Sequence, residues 1–365
     1  MLLDGFINIL SAGLNLKSIS SSEFESLCNN TQEEWEQLAN LAVKQSVGGI
    51  FFDGIQTIYS NHGTPIPNSG WGKKIKAKFL SIAIQLEQRN RKQIATICKM
   101  GEFLKLHGYR MMVMKGQTCA LWYPKPEHRS IGDVDCYMFG DYEQGNEIVK
   151  ELGIVVDSSW YKHSEFCVKG ENFENHQFFV TTRGGKIYKL LNKQLCDLLK
   201  ESELENYPNS EVLLPPVMFN ALFLTYHAFI HFISEGLRLK QVLDWVMFVN
   251  KYQKDIEWFE LHKLCESYKL NRFLIAMNSI TVDYFGVKKK DNDMLCDSPY
   301  KNKVLHSILY DDDYIFSSGQ GKWKERFRII SNMIKHRWKY RDIYQQSIAK
   351  HLWANISGFI FRTES

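Results

Sequence analysis

Apolar residues recur at helical spacing through the first hundred positions, then give way to short apolar runs punctuated by glycine. Phe6, Ile9 and Leu10 share one helical face. Ser20 to Ser22 offer an N-cap for a helix over 23–29. Thr31 and Glu34 form a capping-box pattern, and the helix they open carries Trp35, Leu38, Leu41 and Ala42 at inward spacing. Gly48-Gly49 is expected to break that helix before a short one over 50–59. Residues 60–72 are rich in Gly, Pro, Asn and Ser and read as a loop. A long helix is predicted over 73–107, with Phe79, Ile82, Ile84, Leu86, Ile94, Ile97 and Leu104 inward.

From Tyr109 the period changes. Residues 109–114 read as a buried strand that stops at Lys115-Gly116. Residues 117–123 read as a short helix ended by Pro124. A helix is predicted over 141–152, closed by Gly153, and a strand over 154–156. Residues 164–169 and 173–181 read as a hairpin around Gly170-Glu171-Asn172. Arg183-Gly184-Gly185-Lys186 reads as a polar turn. Pro215-Pro216 opens a helical region. Residues 217–233 form its most apolar stretch, too short and too polar to span a membrane. The organisation is therefore α+β: a helical region over 1–100, an α/β core over 101–210 and a helical domain over 211–365.

The candidate chemistry lies between Met114 and Phe139. In a strand, residues two apart face the same way, so Asp133 and Asp135 share a face while Val134, Cys136 and Met138 take the other. Two neighbouring carboxylates repel unless solvated or bridged by a cation. Mg²⁺ suits such a site, because it takes hard oxygen ligands and keeps water and phosphate in its shell. The alternative is a pair of ordinary surface acids. Gly132 permits close backbone approach. Lys115 adds a point charge, and Arg129 adds a planar fork that matches phosphate oxygens. The strand, glycine turn and helix start at Gly116 together read as an anion site. Alternation places Glu174 and His176 on one face of the later hairpin, and His163 just ahead of it.

These residues resemble the uncharacterised nucleotidyltransferase family of bacterial proteins, within the polymerase-beta-like nucleotidyltransferase superfamily. The matching positions are Lys115-Gly116, Tyr123-Pro124, Arg129, Gly132-Asp133-Val134-Asp135 and the E-x-H element Glu174-Asn175-His176. His227, His231, Gly236, Arg238, Asp244 and Trp245 extend the likeness, which runs from about residue 101 to 250. The resemblance implies a small mixed nucleotidyltransferase sheet with flanking helices. It also implies transfer of a nucleoside monophosphate from an NTP to a hydroxyl acceptor, with pyrophosphate released. Asp133, Asp135 and Glu174 would be catalytic and hold two Mg²⁺ ions, with Mn²⁺ as a substitute. Lys115, Gly116, Thr118, Arg129 and Gly132 would bind the nucleotide. His163, His176, His227, His231, Arg238 and Asp244 would line the cleft. Loss of Asp133 or Asp135 would then abolish turnover with little effect on folding. Superfamily members usually carry Gly-Ser or Gly-Gly in the turn, whereas Gln117 follows Gly116 here, and Thr118 is the nearest hydroxyl. A non-catalytic nucleotide- or partner-binding module on the same fold is the rival reading. A helical zinc hydrolase using His227, His231 and Asp244 is a third.

Composition narrows little further. The chain of 365 residues is 44% hydrophobic, and its net charge of +4 gives no overall polyanion footprint. Its eight cysteines form no C-x-x-C pair, which excludes a zinc-ribbon or thioredoxin-like signature and suits free thiols in a reducing compartment. The start lacks a basic n-region, so a cytoplasmic location is expected. Asp291, Asp293 and the run Asp311-Asp312-Asp313 read as solvated acids. The basic, aromatic stretch after Lys322 reads as an amphipathic helix with Phe327, Ile330, Met333, Ile334 and Trp338 inward, or as an arm for nucleic acid. The acceptor (sugar, small molecule, peptide or RNA) is not encoded in any motif.

Overall fold

The computed structural model describes residues 2–64, 66, 70–182, 185–234, 236–311, 331 and 333–349. Arg183 and Gly184 of the polar turn, Asp312 and Asp313, and Trp323, Arg326, Phe327, Arg328 and Ile330 lie outside the described residues.

Five helices come first: α1 (Leu2–Gly13), α2 (Ser21–Cys28), α3 (Gln32–Lys44), α4 (Gly48–His62) and α5 (Gly70–Leu106). Ser20 and Thr31 each close a full capping box, with Glu23 and Glu34 reaching back to the cap amide. Gly48 and Gly49 start α4 and do not merely end the helix before it. A β-carbon on Gly49 would meet the carbonyl oxygen of His128 at 2.2 Å, so glycine lets α4 pack directly on the loop ahead of the sheet.

The sheet contains β1 (Met112–Met114), β2 (Val134–Tyr137), β3 (Val156–Asp157), β4 (His163–Val168) and β5 (Glu171–His176). Its order is β1-β2-β5-β4-β3, with β2 and β5 parallel and the other neighbours antiparallel. Between β1 and β2 lies α6 (Gly116–Ala120), and between β2 and β3 lies α7 (Tyr142–Glu151). The hairpin turns at Lys169-Gly170, both with positive φ, so Glu171 and Asn172 belong to the strand.

Helices follow: α8 (Lys186–Lys200), α9 (Val217–Ile233), α10 (Leu239–Tyr252), α11 (Trp258–Ser267), α12 (Asn271–Asp283) and α13 (Lys301–Tyr310). The architecture is α+β, a small mixed sheet flanked by helices before and after it. Among the described residues, no helix is long and apolar enough to cross a membrane.

Two apolar cores explain why the sheet has one dry face and one polar face. Behind it, Val113, Val134, Cys136, Phe166 and Phe173 pack on Ile97, Met100 and Leu104 of α5. The second core joins α1, α4 and the first half of α5 to α9, α10 and α12. One helix, α5, thus belongs to both. Two inward expectations fail: Ile84 is 45% exposed and Ile334 is 48% exposed. Ile84 falls off the stripe because Phe79 and Ala83 make the inward contact. Asp311 is not simply solvated, since its carboxylate pairs with His336 and Lys339.

Candidate active site

Strand register brings the predicted acids together. Asp135 on β2 is paired with Glu174 on β5, and Asp133, in the bend just before β2, lines the same cleft. Burial pushes the Asp133 carboxyl above its usual range, and the charges of Glu174 and Asp135 add to the push. Burial would also raise Asp135, but Lys115 and His176 outweigh it and hold that carboxylate well below the usual range. Glu174 is held low in spite of burial, through its hydrogen bond with His176.

Lys115 links turn, sheet and helix. Its Nζ lies 2.7 Å from Asp135 Oδ1 and donates to His227 Nε2 at 3.1 Å. Burial, then Lys115 and His231, push the His227 imidazole well below its ordinary value, so it is the neutral acceptor. The backbone at Lys115 has φ +51°, a strained conformation for a residue with a β-carbon, and Gly116 follows at φ +31°. This bend aims the ammonium at the acidic face.

Three nucleotide-site expectations change. The Thr118 hydroxyl donates to Val113 O at 2.6 Å and is buried in the core, so it faces away from the cleft. The helix after Gly116 spans five residues, too short for a substantial dipole. Arg129 is already engaged: Nε and Nη2 donate to Asp244 Oδ1 and Oδ2 at 2.7 and 2.6 Å. Tyr123 donates to the same carboxylate at 2.8 Å. Arg129 and Asp244 therefore tie the loop before Asp133 to α10, with one edge on the cleft. Asp244 is occupied by this pair and does not join His227 and His231, whose Nε2 atoms lie 3.2 Å apart, as a third zinc ligand.

A buried amide network holds the same loop from the other side. Asn90 Nδ2 on α5 donates to Glu127 O and Arg129 O at 2.8 and 3.2 Å. Gln93 Nε2 donates to Gly132 O at 2.9 Å. Gln117 Nε2 donates to Asn90 Oδ1 and Gln93 Oε1 at 2.8 and 3.0 Å. Gln117, the departure from the superfamily turn, is thus buried in this network and its side chain points away from the cleft. Replacing Asn90 with alanine orphans carbonyls in the loop and is expected to cost about 1–3 kcal/mol, read by chemical denaturation; an unchanged midpoint would show that the network is not needed. Sequence reasoning missed Asn90 and Gln93. The signal was their place on the spacing Leu86, Asn90, Gln93, Ile97, Met100, Leu104, where two amides interrupt an apolar stripe.

The acidic face looks into a cavity of about 600 Å³ closed by α9 and α10. Gly116, Gly132, His163, His231 and Arg238 line it, together with Lys240 and with Lys162, which sequence reasoning passed over. His176 lies under the rim, donating to Asp135 Oδ1 at 3.0 Å. A cleft with carboxylates on its floor and lysines on its walls can hold a polyanion beside divalent cations.

A five-stranded mixed sheet that presents acids from parallel neighbours to a basic helical cleft defines a nucleotidyltransferase fold. The family described as uncharacterised nucleotidyltransferase matches residues 31–286, and the chain belongs to it. No curated protein and no solved structure matches the chain.

Proposed function

We propose that this protein transfers a nucleoside monophosphate from an NTP to a hydroxyl acceptor and releases pyrophosphate. The observation that carries the reading is the pairing of Asp135 with Glu174 across parallel strands, with Asp133 beside them at the mouth of the basic cavity. Burial raises the Asp133 carboxyl, and the charges of Glu174 and Asp135 add to it; three hard oxygen donors lining one cleft fit Mg²⁺. Asp133, Asp135 and Glu174 would hold it, with Mn²⁺ as a substitute. When bound, the ion would neutralise phosphate charge and polarise the phosphorus centre.

The chain's own residues supply the rest. Lys115 is placed to exchange Asp135 for a phosphate oxygen. The acceptor oxygen attacks the α-phosphorus, its proton passes to a carboxylate, and the bond to pyrophosphate breaks. Lys240 and Lys162 would offset the charge that builds on pyrophosphate.

Lys240 gives this reading a pH dependence. Burial, then Arg129, pushes its ammonium down to about 8, with Asp244 opposing. Below that value Lys240 is charged and attracts polyphosphate; above it the charge is lost. NTP affinity is expected to fall as pH rises from 7 to 9, and Lys240→Arg should flatten the decline. Equal slopes in both proteins would remove Lys240 from the phosphate site.

A second reading keeps the nucleotide and drops the transfer. It is favoured by the Thr118 and Gln117 side chains, since neither offers the cleft a polar group from the turn. Titration calorimetry with each NTP plus Mg²⁺, run beside a pyrophosphate-release assay, separates the two. Binding with release over an acceptor screen supports the transferase. Binding without release across that screen supports the module, and no binding contradicts both.

A further inference from the structure

We infer that His163, Glu174 and His176 form a site for a first-row transition metal ion of the Zn²⁺ type, at the β4–β5 edge of the cleft. Among the described residues, these three form the group whose ligand atoms all lie within 4.8 Å of one another. Glu174 Oε2 lies 3.8 Å from His163 Nδ1 and 3.4 Å from His176 Nε2. Tetrahedral zinc with bonds of about 2.0–2.1 Å separates its ligands by roughly 3.3 Å, so small side-chain adjustments close the site.

The outer partners of both rings already suit a metal. His163 Nε2 donates to Glu165 Oε1 at 3.2 Å, which turns the Nδ1 lone pair toward Glu174, and this Nδ1 is buried with no hydrogen-bond partner. His176 Nδ1 donates to Phe178 O at 3.2 Å, which fixes the ring so that Nε2 points at the acids; the Nε2 proton shared with Asp135 Oδ1 at 3.0 Å is released to solvent when the metal binds. A carboxylate behind one imidazole and a carbonyl behind the other is how metal-binding histidines are usually oriented. Strand register explains the convergence, since His163 pairs with His176 and Glu165 with Glu174 on one face. Two imidazoles and one carboxylate select zinc or cobalt over magnesium. The fourth position faces the cavity and is open to Asp135 or a substrate oxygen.

The consequence for catalysis rests on the transferase reading: an ion held here would draw Glu174 away from Mg²⁺, so micromolar Zn²⁺ would inhibit transfer. The site itself does not depend on that reading. Purified full-length protein, stripped with chelator and given no nucleotide, is titrated with Zn²⁺ by calorimetry and with Co²⁺ by absorption. One ion per chain is expected, with visible bands of a tetrahedral nitrogen–oxygen site and no thiolate charge-transfer band. His163→Ala should weaken binding at least about 100-fold, and Glu165→Gln about 10-fold. Should the alanine variant lose its fold by circular dichroism, His163→Gln serves in its place. Wild-type affinity in both folded His163 variants would overturn the assignment. So would binding abolished by His227→Ala, His231→Ala, or a cobalt spectrum dominated by sulfur. Intact metal binding with no nucleotide transfer would sink the transferase reading and leave this site standing.

Discussion

Replacing Asp244 with alanine is expected to destabilise the protein by about 3–5 kcal/mol, the usual cost of stripping one partner from a buried ion pair. Both side chains are almost fully enclosed, at 5% and 6% exposed. Burial alone would lower the Arg129 guanidinium, yet Asp244 holds it above its ordinary value, so the two are matched charges in a dry place. Removing one leaves the other without solvent. The Tyr123 hydroxyl, hydrogen-bonded to the same carboxylate, would lose its partner as well. The pair Arg129→Met, Asp244→Leu should recover much of the loss, because replacing both charges by apolar groups is close to neutral. Denaturant titration of the three proteins decides this. A single-variant loss under about 1 kcal/mol would mean that the pair behaves as a surface bridge.

Replacing Asp133 with asparagine is expected to lower turnover by roughly 10²–10³-fold, the usual effect of losing one preorganised electrostatic group, while leaving the melting temperature almost unchanged. Asp133 lies in the bend just before β2 and is exposed as a residue, with only its carboxyl partly desolvated in the cleft, so folding asks little of it. Asp135 is a different case. It anchors Lys115 and accepts from buried His176, so alanine there would also unsettle the turn. The sequence-based expectation that either aspartate could be lost without harm to the fold therefore remains the expectation for Asp133 and is revised for Asp135.

The contrast between these two predictions shows what sequence pattern could reach. Local periodicity placed Asp133 and Asp135 on one face, and the hairpin placed Glu174 beside His176, because a strand fixes side-chain direction over two residues. That β2 and β5 lie side by side in parallel was reachable only through the family likeness, since parallel partners come from distant segments. Arg129 was read as a phosphate ligand because its true partner lies 115 positions away. Charge alone cannot distinguish a waiting cation from one already paired. Thr118 was read as a turn hydroxyl because nothing local reveals that Val113 O captures it. Asn90 and Gln93 hid on an apolar stripe whose period predicted core. They are inward as the stripe requires, but they carry hydrogen bonds to the loop that bears the acids.

The most direct test follows phosphorus through the reaction. Each NTP, labelled on the α-phosphorus or on the γ-phosphorus, is incubated with protein, Mg²⁺ and a cell extract as the acceptor source. The expected result is that α-label enters an acceptor, that γ-label leaves as pyrophosphate, and that Asp133→Asn slows both by roughly 10²–10³-fold. Label transferred from the γ-position, or equal α-transfer by the Asp133 variant, would contradict it.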